Sequence, residues 1–278
     1  MSNSSSICSK VYTSAPLPFQ GQKRRFISDF KEVLKQFDDI DTVVDLFGGS
    51  GLLSHVAKRE RPDLRVVYND YDHYCDRLKN IAVTNEILSR IRPLMATLQP
   101  DKKVPEDTRQ KVVDILNSYP PPLDYITLSS SLLFSGKWAK THEELVTQTM
   151  YCKVKQTDYE AGGYLDGLEI VHMDYRELFD IHKDNKKVLF LLDPPYLSTD
   201  CGSYESYWKL SDYLEVLKLL VGTRYIYFTS NKSQIIELCE WIKENAAIGN
   251  PFEGVEVRKQ QNKLNYQSAF TDIMLVKG

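Results

Sequence analysis

What this chain of 278 residues lacks narrows its chemistry first. Its five cysteines, Cys8, Cys75, Cys152, Cys201 and Cys239, are odd in number and form no CxxC pair. That argues against a zinc site or a disulfide framework and for a reducing cytoplasm. The five histidines show no metal-ligand spacing, so metal catalysis is not the leading expectation. No apolar run approaches the roughly 20 residues that a bilayer span needs, and no membrane partner is expected. The opening MSNSSSICSK has no apolar core of a secretory signal, and residues 1–14 read as a disordered tail. An excess of basic charge is missing too, the formal net charge being -3. A local basic face on such a chain can still bind phosphates. The candidates are Lys102–Lys103, Lys137 with Lys140, Lys153 with Lys155, and Arg258–Lys259 with Lys263. Each of these, taken alone, reads first as solvated surface.

What is present alternates. The segment RRFISDFKEVLKQF (24–37) spaces Phe26, Phe30, Leu34 and Phe37 as one face of an amphipathic helix. DTVVDLF (41–47) reads as a short buried strand, GGSGLLSHVAKRE as a glycine turn opening a helix, and RVVYND (65–70) as a second strand. A helix is expected from His73 towards Ile87. Residues 86–164 lose the rhythm: they hold DKKVPEDTR, three consecutive prolines at 120–122, SSSLLFSGKW and EAGGY. They read as a mainly helical insertion between two parts of a core, 15–85 and 165–278. Strands return at LEIVHMD (168–174), KKVLFLLD (186–193) and RYIYFTSN (224–231), with helices near 211–221 and 233–245. The C-terminal segment reads as two strands joined by a basic loop. Hydrophobic strands alternating with helices imply an α/β, doubly wound, mostly parallel sheet closed by an antiparallel terminal hairpin. Ligands of such sheets bind at the carboxyl ends of the strands.

Two motifs fall at those ends. In DLFGGSG (45–51), glycines at 48, 49 and 51 let the backbone turn sharply and approach a ligand closely. Asp70 closes the next strand 19 residues beyond Gly51, about where an acid grips a ribose hydroxyl. The spacing differs from GxGxxG, so a dinucleotide site is a weaker reading, and a tight turn with a capping acid is the plain one. The second motif is Asp193–Pro194–Pro195–Tyr196, directly after an apolar strand. It suits a flat base bearing an amino group. Asp193 can accept one N–H and the Pro194 carbonyl the other, while proline holds the turn without adding a donor. Tyr196 offers a stacking face worth about 1–3 kcal/mol. A third stretch, PFQGQKRRF (18–26), places Gly21 and Lys23 before the first helix, whose N-terminus can receive an anion. Taken alone, that stretch reads first as a basic helix start on the surface, and Phe19 reads first as core.

Together these residues resemble the Dam-like (D12 class, alpha-arrangement) family of DNA adenine-N6 methyltransferases. The likeness lies in the order: Gly–x–Lys, the Phe–x–Gly–x–Gly loop, an inserted region, then DPPY. The resemblance implies a Rossmann-like, seven-stranded methyltransferase sheet, with residues 86–164 as a target-recognition subdomain. It implies S-adenosylmethionine as cofactor, surrounded by Phe19, Gly21, Lys23, Asp45, Phe47, Gly49, Gly51, Asp70, Asp174 and Asp193. Asp70 would hold the ribose hydroxyls, and Asp174 would touch the cofactor's adenine or simply cap a helix. Asp193 and Pro194 would hold the target amine, with Tyr196 stacked on an adenine flipped out of duplex DNA. Methyl transfer would be direct, with Asp193 as a hydrogen-bond acceptor rather than a strong base. A monomer is expected, with a cognate restriction endonuclease as a candidate partner. GATC-methylating members carry an Asn-Gly-rich stretch, an Arg and a Phe-Asn-x-Pro-x-Gly segment in the insertion. Here SSSLLFSGKWAKTHEEL stands roughly in that place, with Trp138 read as core and Lys137 as surface, so no recognition sequence is implied. RNA adenine methylation and a non-catalytic cofactor- or DNA-binding protein are the other readings. Methylation of a glutamine amide usually goes with Asn at the first motif position and ranks below them.

Overall fold

A computed structural model describes residues 10–197, 208–245, 249–265 and 268–278, and for 262–265 and 268–269 the backbone alone. Its contacts divide the chain into two compact units. The larger comprises Met1–Ser14, Gly21–Asp72 and Gly163–Gly278, and the smaller Ala15–Gln20 with His73–Gly162. An insertion was expected over 86–164; the contact-defined unit begins earlier, at His73. Of the tail expected over 1–14, residues 1–9 lie outside the described residues. Beyond them Tyr12 is buried, and its amide donates to His55 Nε2 at 3.0 Å.

The larger unit is built on a seven-stranded sheet. The strands are β1 (Thr42–Asp45), β2 (Arg65–Asn69), β3 (Glu169–Val171), β4 (Val188–Leu192), β5 (Tyr225–Ser230), β6 (Glu256–Asn265) and β7 (Ser268–Lys277). They lie in the order β3-β2-β1-β4-β5-β7-β6. Strands β1 to β5 pair in parallel, while β7 runs antiparallel to both β5 and β6. This is the α/β class expected, with the antiparallel strands at the C-terminal end.

Period-two alternation between two covered faces explains why the inner strands β1, β4 and β5 are buried throughout. Val43, Leu189, Leu191, Ile226 and Phe228 face α1 (Ile27–Gln36) and α2 (Leu52–Glu60). Their neighbours Val44, Val188, Phe190, Leu192, Tyr225 and Tyr227 join the opposite core cluster. That cluster includes residues of the three helices that follow β3, β4 and β5 in the sequence. A sheet covered on both faces has no solvent side for polar residues to occupy. Each fully buried Leu or Phe contributes about 1.5–3 kcal/mol.

The chain winds outward from β1 to β2 and β3 on one side, and to β4 and β5 on the other. The reversal between β1 and β4 opens a crevice at their carboxyl ends. DLFGGSG leaves β1 and DPPY leaves β4, so the topology sets the two motifs on either side of that crevice.

The smaller unit is helical: α3 (Tyr74–Lys79), α4 (Ile81–Met95), α5 (Glu106–Asn117), α6 (Tyr125–Leu132) and α7 (His142–Thr147). The single helix expected after His73 is two, broken at Asn80, which ends α3 and begins α4. Ile87, Leu88, Ile91, Val112, Leu116, Leu128 and Leu132 are completely buried. Asp124 caps α6 by accepting from the Thr127 amide at 3.0 Å, and it pairs with Arg77 Nε at 3.0 Å. The last three helices, α8 (Tyr175–His182), α9 (Leu210–Leu220) and α10 (Ile235–Asn245), belong to the larger unit. No described helix is long and apolar enough to cross a membrane.

The glycine turn after β1 rests on the ring of Tyr68, which is fully buried. A Cβ on Gly48 would stand 2.3 Å from Tyr68 Cδ2 and 2.8 Å from the Asn69 carbonyl oxygen. A Cβ on Gly162 would meet nothing within 4 Å. Gly48→Ala is therefore expected to destabilise by about 1–3 kcal/mol, the range for forced overpacking. Gly162→Ala should stay within about 0.5 kcal/mol of the parent. Urea midpoints of the two variants check this; equal midpoints would contradict it.

Candidate active site

Strand parity decides where the two acids point. Asp45 follows Val43, and Asp193 follows Leu189 and Leu191, so both carboxylates fall on the α1/α2 face. Asp45 is 2% exposed and accepts a hydrogen bond from Ser54 Oγ of α2 at 2.7 Å. Burial pushes its pKa from the ordinary 3.8 up to about 7. The Ser54 hydroxyl opposes that rise, and the negative charge of Asp193 adds to it.

Asp193 has a cation. Lys23, only 7% exposed, directs Nζ to Asp193 Oδ2 at 2.5 Å and to the Gly21 carbonyl at 2.6 Å. The same ammonium lies 5.3 Å from the Tyr196 ring centroid and 5.9 Å from that of Phe228. Gly21 has φ +84, a left-handed turn that lets its carbonyl face the lysine just before the first helical turn, Arg24–Phe26. Burial raises the Asp193 pKa, while the Lys23 charge and hydrogen bond pull it back. Among the described residues, Lys23 is the only side chain hydrogen-bonded to this carboxylate. Pro194 and Pro195 are buried, and Tyr196 is half-buried beside them. Gly21, Lys23, Asp193 and Tyr196 thus form one cluster from segments 170 residues apart.

Across the crevice, Gly49 and Gly51 take φ +49 and +73, and the Gly51 amide closes the turn onto the Gly48 carbonyl at 2.7 Å. Tyr68 Oη lies 2.7 Å from the Gly49 carbonyl and 3.0 Å from Asp70 Oδ1, so its one proton serves either. Asp70 is 6% exposed, and its backbone amide donates to Val171 of the neighbouring strand. His172 Nδ1 donates to the Asp70 carbonyl at 2.9 Å. Asn69 ties three strand ends together. Its Nδ2 donates to the carbonyls of Leu46 and Met173, and its Oδ1 accepts the Met173 amide. Ser54, Tyr68 and Asn69 were not anticipated. The available signal was a polar group in an otherwise apolar buried run, as with Ser54 between Leu53 and Val56.

Phe47 stands in an aromatic group. Its ring centroid is 4.9 Å from Tyr175 and 5.6 Å from Trp208, and those two rings stack at 5.9 Å. Neither Tyr175 nor Trp208 was expected at the site. Asp174 caps α8 through the Arg176 amide and is gripped by the Arg176 guanidinium at 2.7 and 2.9 Å. That arginine holds its carboxyl below the usual range. Phe19 belongs to the smaller unit, where its ring meets Tyr74 edge-on at 5.7 Å. Among the described residues, no group of three or more His, Cys, Asp or Glu is placed to hold a metal ion.

Comparison with known proteins bears on this arrangement. Residues 19–233 match the family described as D12 class N6 adenine-specific DNA methyltransferase. A Haemophilus influenzae (strain ATCC 51907 / DSM 11121 / KW20 / Rd) protein named "Putative methyltransferase" is 37% identical over 244 residues, 85% of this chain and 82% of that one. The chain belongs to the D12 class N6 adenine-specific DNA methyltransferase family. That membership supports a methyltransferase enzyme acting on adenine.

The Asp45 environment has a measurable signature. A carboxyl whose pKa is raised on folding favours the native state in its protonated form. Its contribution is full below pH 4, fades as pH rises towards 7, and is gone above. Asp45→Asn removes this dependence. The variant should gain on the parent by a few kcal/mol between pH 4 and 7, at about 1.36 kcal/mol for each tenfold rise in proton affinity on folding. Denaturant titrations across that range check it; a constant difference between variant and parent would contradict it.

Proposed function

We propose that this family member transfers the methyl group of S-adenosylmethionine to the N6 amino group of an adenine rotated out of duplex DNA. The observation that carries the reading is the Lys23–Asp193–Tyr196 cluster at the end of β4, facing the glycine turn of β1 across the switch point.

The residues on the β1 side fit the cofactor. The left-handed glycines 49 and 51 present backbone without a Cβ at those two positions, and Asp70 is a carboxylate suited to ribose hydroxyls. Phe47 with Tyr175 and Trp208 offers an aromatic surface. Asp45 sits behind the loop, bonded to Ser54, and supports it from below. Asp174 is engaged with Arg176, so contact with the cofactor's adenine would compete with that pair. When bound, S-adenosylmethionine supplies an electrophilic methyl group on a positively charged sulfur.

On the β4 side, Lys23 occupies Asp193 Oδ2 and opposes the rise in pKa that burial causes, which leaves Oδ1 to accept one N–H of the target amine. The Pro194 carbonyl accepts the second N–H, and Tyr196 stacks on the base. Two acceptors hold the amine with its lone pair turned out of the ring plane. Each hydrogen bond to a charged group contributes about 1.5–3 kcal/mol, and positioning does the rest. The amine proton leaves to solvent once nitrogen has become positive, so Asp193 need not act as a strong base. Flipping costs a few kcal/mol, which stacking on Tyr196 offsets in part.

Incubation with methyl-labelled cofactor and either duplex DNA or structured RNA tests the reading. Label is expected in DNA, as N6-methyladenine on nucleoside analysis; label confined to RNA would sink the DNA assignment. Asp193→Ala should lower the transfer rate by about 10²-fold or more, by analogy with removal of one preorganised polar contact, and leave the circular-dichroism spectrum of the fold intact. A folded Asp193→Ala enzyme with the parent's rate would remove Asp193 from the site.

A further inference from the structure

The residues with which the chain re-enters the larger unit fasten onto the glycine turn and the helix behind it. Gly163, Tyr164 and Leu165 each make a separate contact, and all the residues involved belong to that unit. The Gly163 carbonyl accepts from Arg59 Nη2 of α2 at 2.7 Å. His55 Nδ1, also of α2, donates to the Tyr164 carbonyl at 2.6 Å. Tyr164 Oη donates to the Ser50 carbonyl, inside the glycine turn, at 3.0 Å. A Cβ on Gly51 would stand 3.2 Å from Leu165 Cδ2, so that side chain lies against the same turn.

One protonation pattern of His55 satisfies both of its neighbours. The Tyr12 amide donates to Nε2, so Nε2 carries the lone pair, and Nδ1 carries the proton given to the Tyr164 carbonyl. The imidazole stacks on the Tyr164 ring at 4.9 Å, and Tyr12 meets the two rings edge-on at 5.4 and 5.0 Å. All three side chains are buried. Tyr164 is thereby held at its carbonyl, its ring and its hydroxyl.

The consequence falls on the peptide between Ser50 and Gly51. Its N–H donates to the Gly48 carbonyl at 2.7 Å, and its carbonyl accepts from Tyr164 at 3.0 Å. A peptide plane held at both groups cannot turn without breaking a bond. We propose that Tyr164, with His55 behind it, is a positioning residue that holds the glycine turn in its binding shape before S-adenosylmethionine arrives. The inference rests on the cofactor part of the reading above and deepens it. Without the hydroxyl the peptide can sample other orientations, binding must then order it, and affinity falls. The reacting atoms are untouched, so the step after binding keeps its rate.

Tyr164→Phe deletes one hydroxyl and keeps the stacked ring. Calorimetric titration with the demethylated cofactor should show binding about fivefold weaker than the parent's, the size of one neutral hydrogen bond. KM for S-adenosylmethionine should rise by a similar factor, with kcat at saturating cofactor unchanged. His55→Leu, which leaves the Tyr164 carbonyl without its donor, should weaken binding to a similar degree. His55→Asn, whose amide nitrogen stands as many bonds from Cα as Nδ1, should restore most of the loss. Tyr119→Phe, which removes a hydroxyl bonded to Glu86 on the helical unit, should match the parent. A lowered melting temperature for Tyr164→Phe with parent-like affinity would make this tyrosine a packing residue alone and overturn the proposal. A lowered kcat with unchanged KM would overturn it too. In both cases a parent that binds the cofactor leaves the proposed function standing. A parent that binds neither S-adenosylmethionine nor its demethylated form would overturn both.

Discussion

The contact between Lys23 and Asp193 is the interaction on which the site depends. It joins the segment before the first helix to the end of the central strand β4, and it places a full positive charge beside a carboxylate that burial alone would tend to neutralise. Charges taken out of water are tolerated when they are paired and hydrogen-bonded. Here the ammonium has two oxygen acceptors and two aromatic rings within 6 Å. The result is an acceptor whose charge is favoured by an adjacent ammonium and whose position is fixed from the helix side. Asp45 completes the electrostatics differently. It has a hydroxyl partner instead of a cation, so burial and the charge of Asp193 push its pKa up to about 7 with only the Ser54 hydroxyl to oppose them.

Topology makes this arrangement possible. Because the strand order reverses between β1 and β4, loops from two adjacent parallel strands diverge at one end of the sheet. One loop is made of glycines lying on Tyr68, and the other is stiffened by two prolines. Both are therefore rigid for opposite reasons: the first cannot accept a Cβ, and the second cannot rotate about φ. A site built on such ends is preorganised by packing that extends through the sheet to both core clusters.

Much of the sheet was legible because its inner parallel strands are short runs rich in Val, Ile, Leu and aromatics, and β1 and β4 lead into the chemically distinctive DLFGGSG and DPPY. DLFGGSG and DPPY could be read from residue type alone, and so could their place at strand ends. What escaped was lateral. Ser54, Tyr68 and Asn69 act through contacts across the sheet, and no local spacing announces which strand end a polar side chain will tie. Asp174 stood between two readings, ligand contact and helix cap, and its hydrogen bonds go to the helix it caps and to Arg176. His55 and Tyr164 lie in separate segments of unremarkable sequence. Their convergence behind the glycine turn arises from a few hydrogen bonds between a helix and an irregular stretch, and those carry no periodicity to detect.

The most direct test concerns the carboxylate at the centre. Lysine Nζ groups labelled with nitrogen-15 report their own hydrogen-bonding, and the Lys23 signal is identified by its loss in Lys23→Arg. Adding a duplex with an unpaired adenine, together with the demethylated cofactor, should shift that resonance, because the target amine and Lys23 then share one carboxylate. A duplex with an unpaired thymine, which has no amino group, should not shift it. An unchanged Lys23 resonance under saturating adenine duplex would contradict the assignment of Asp193 as the acceptor of the target amine.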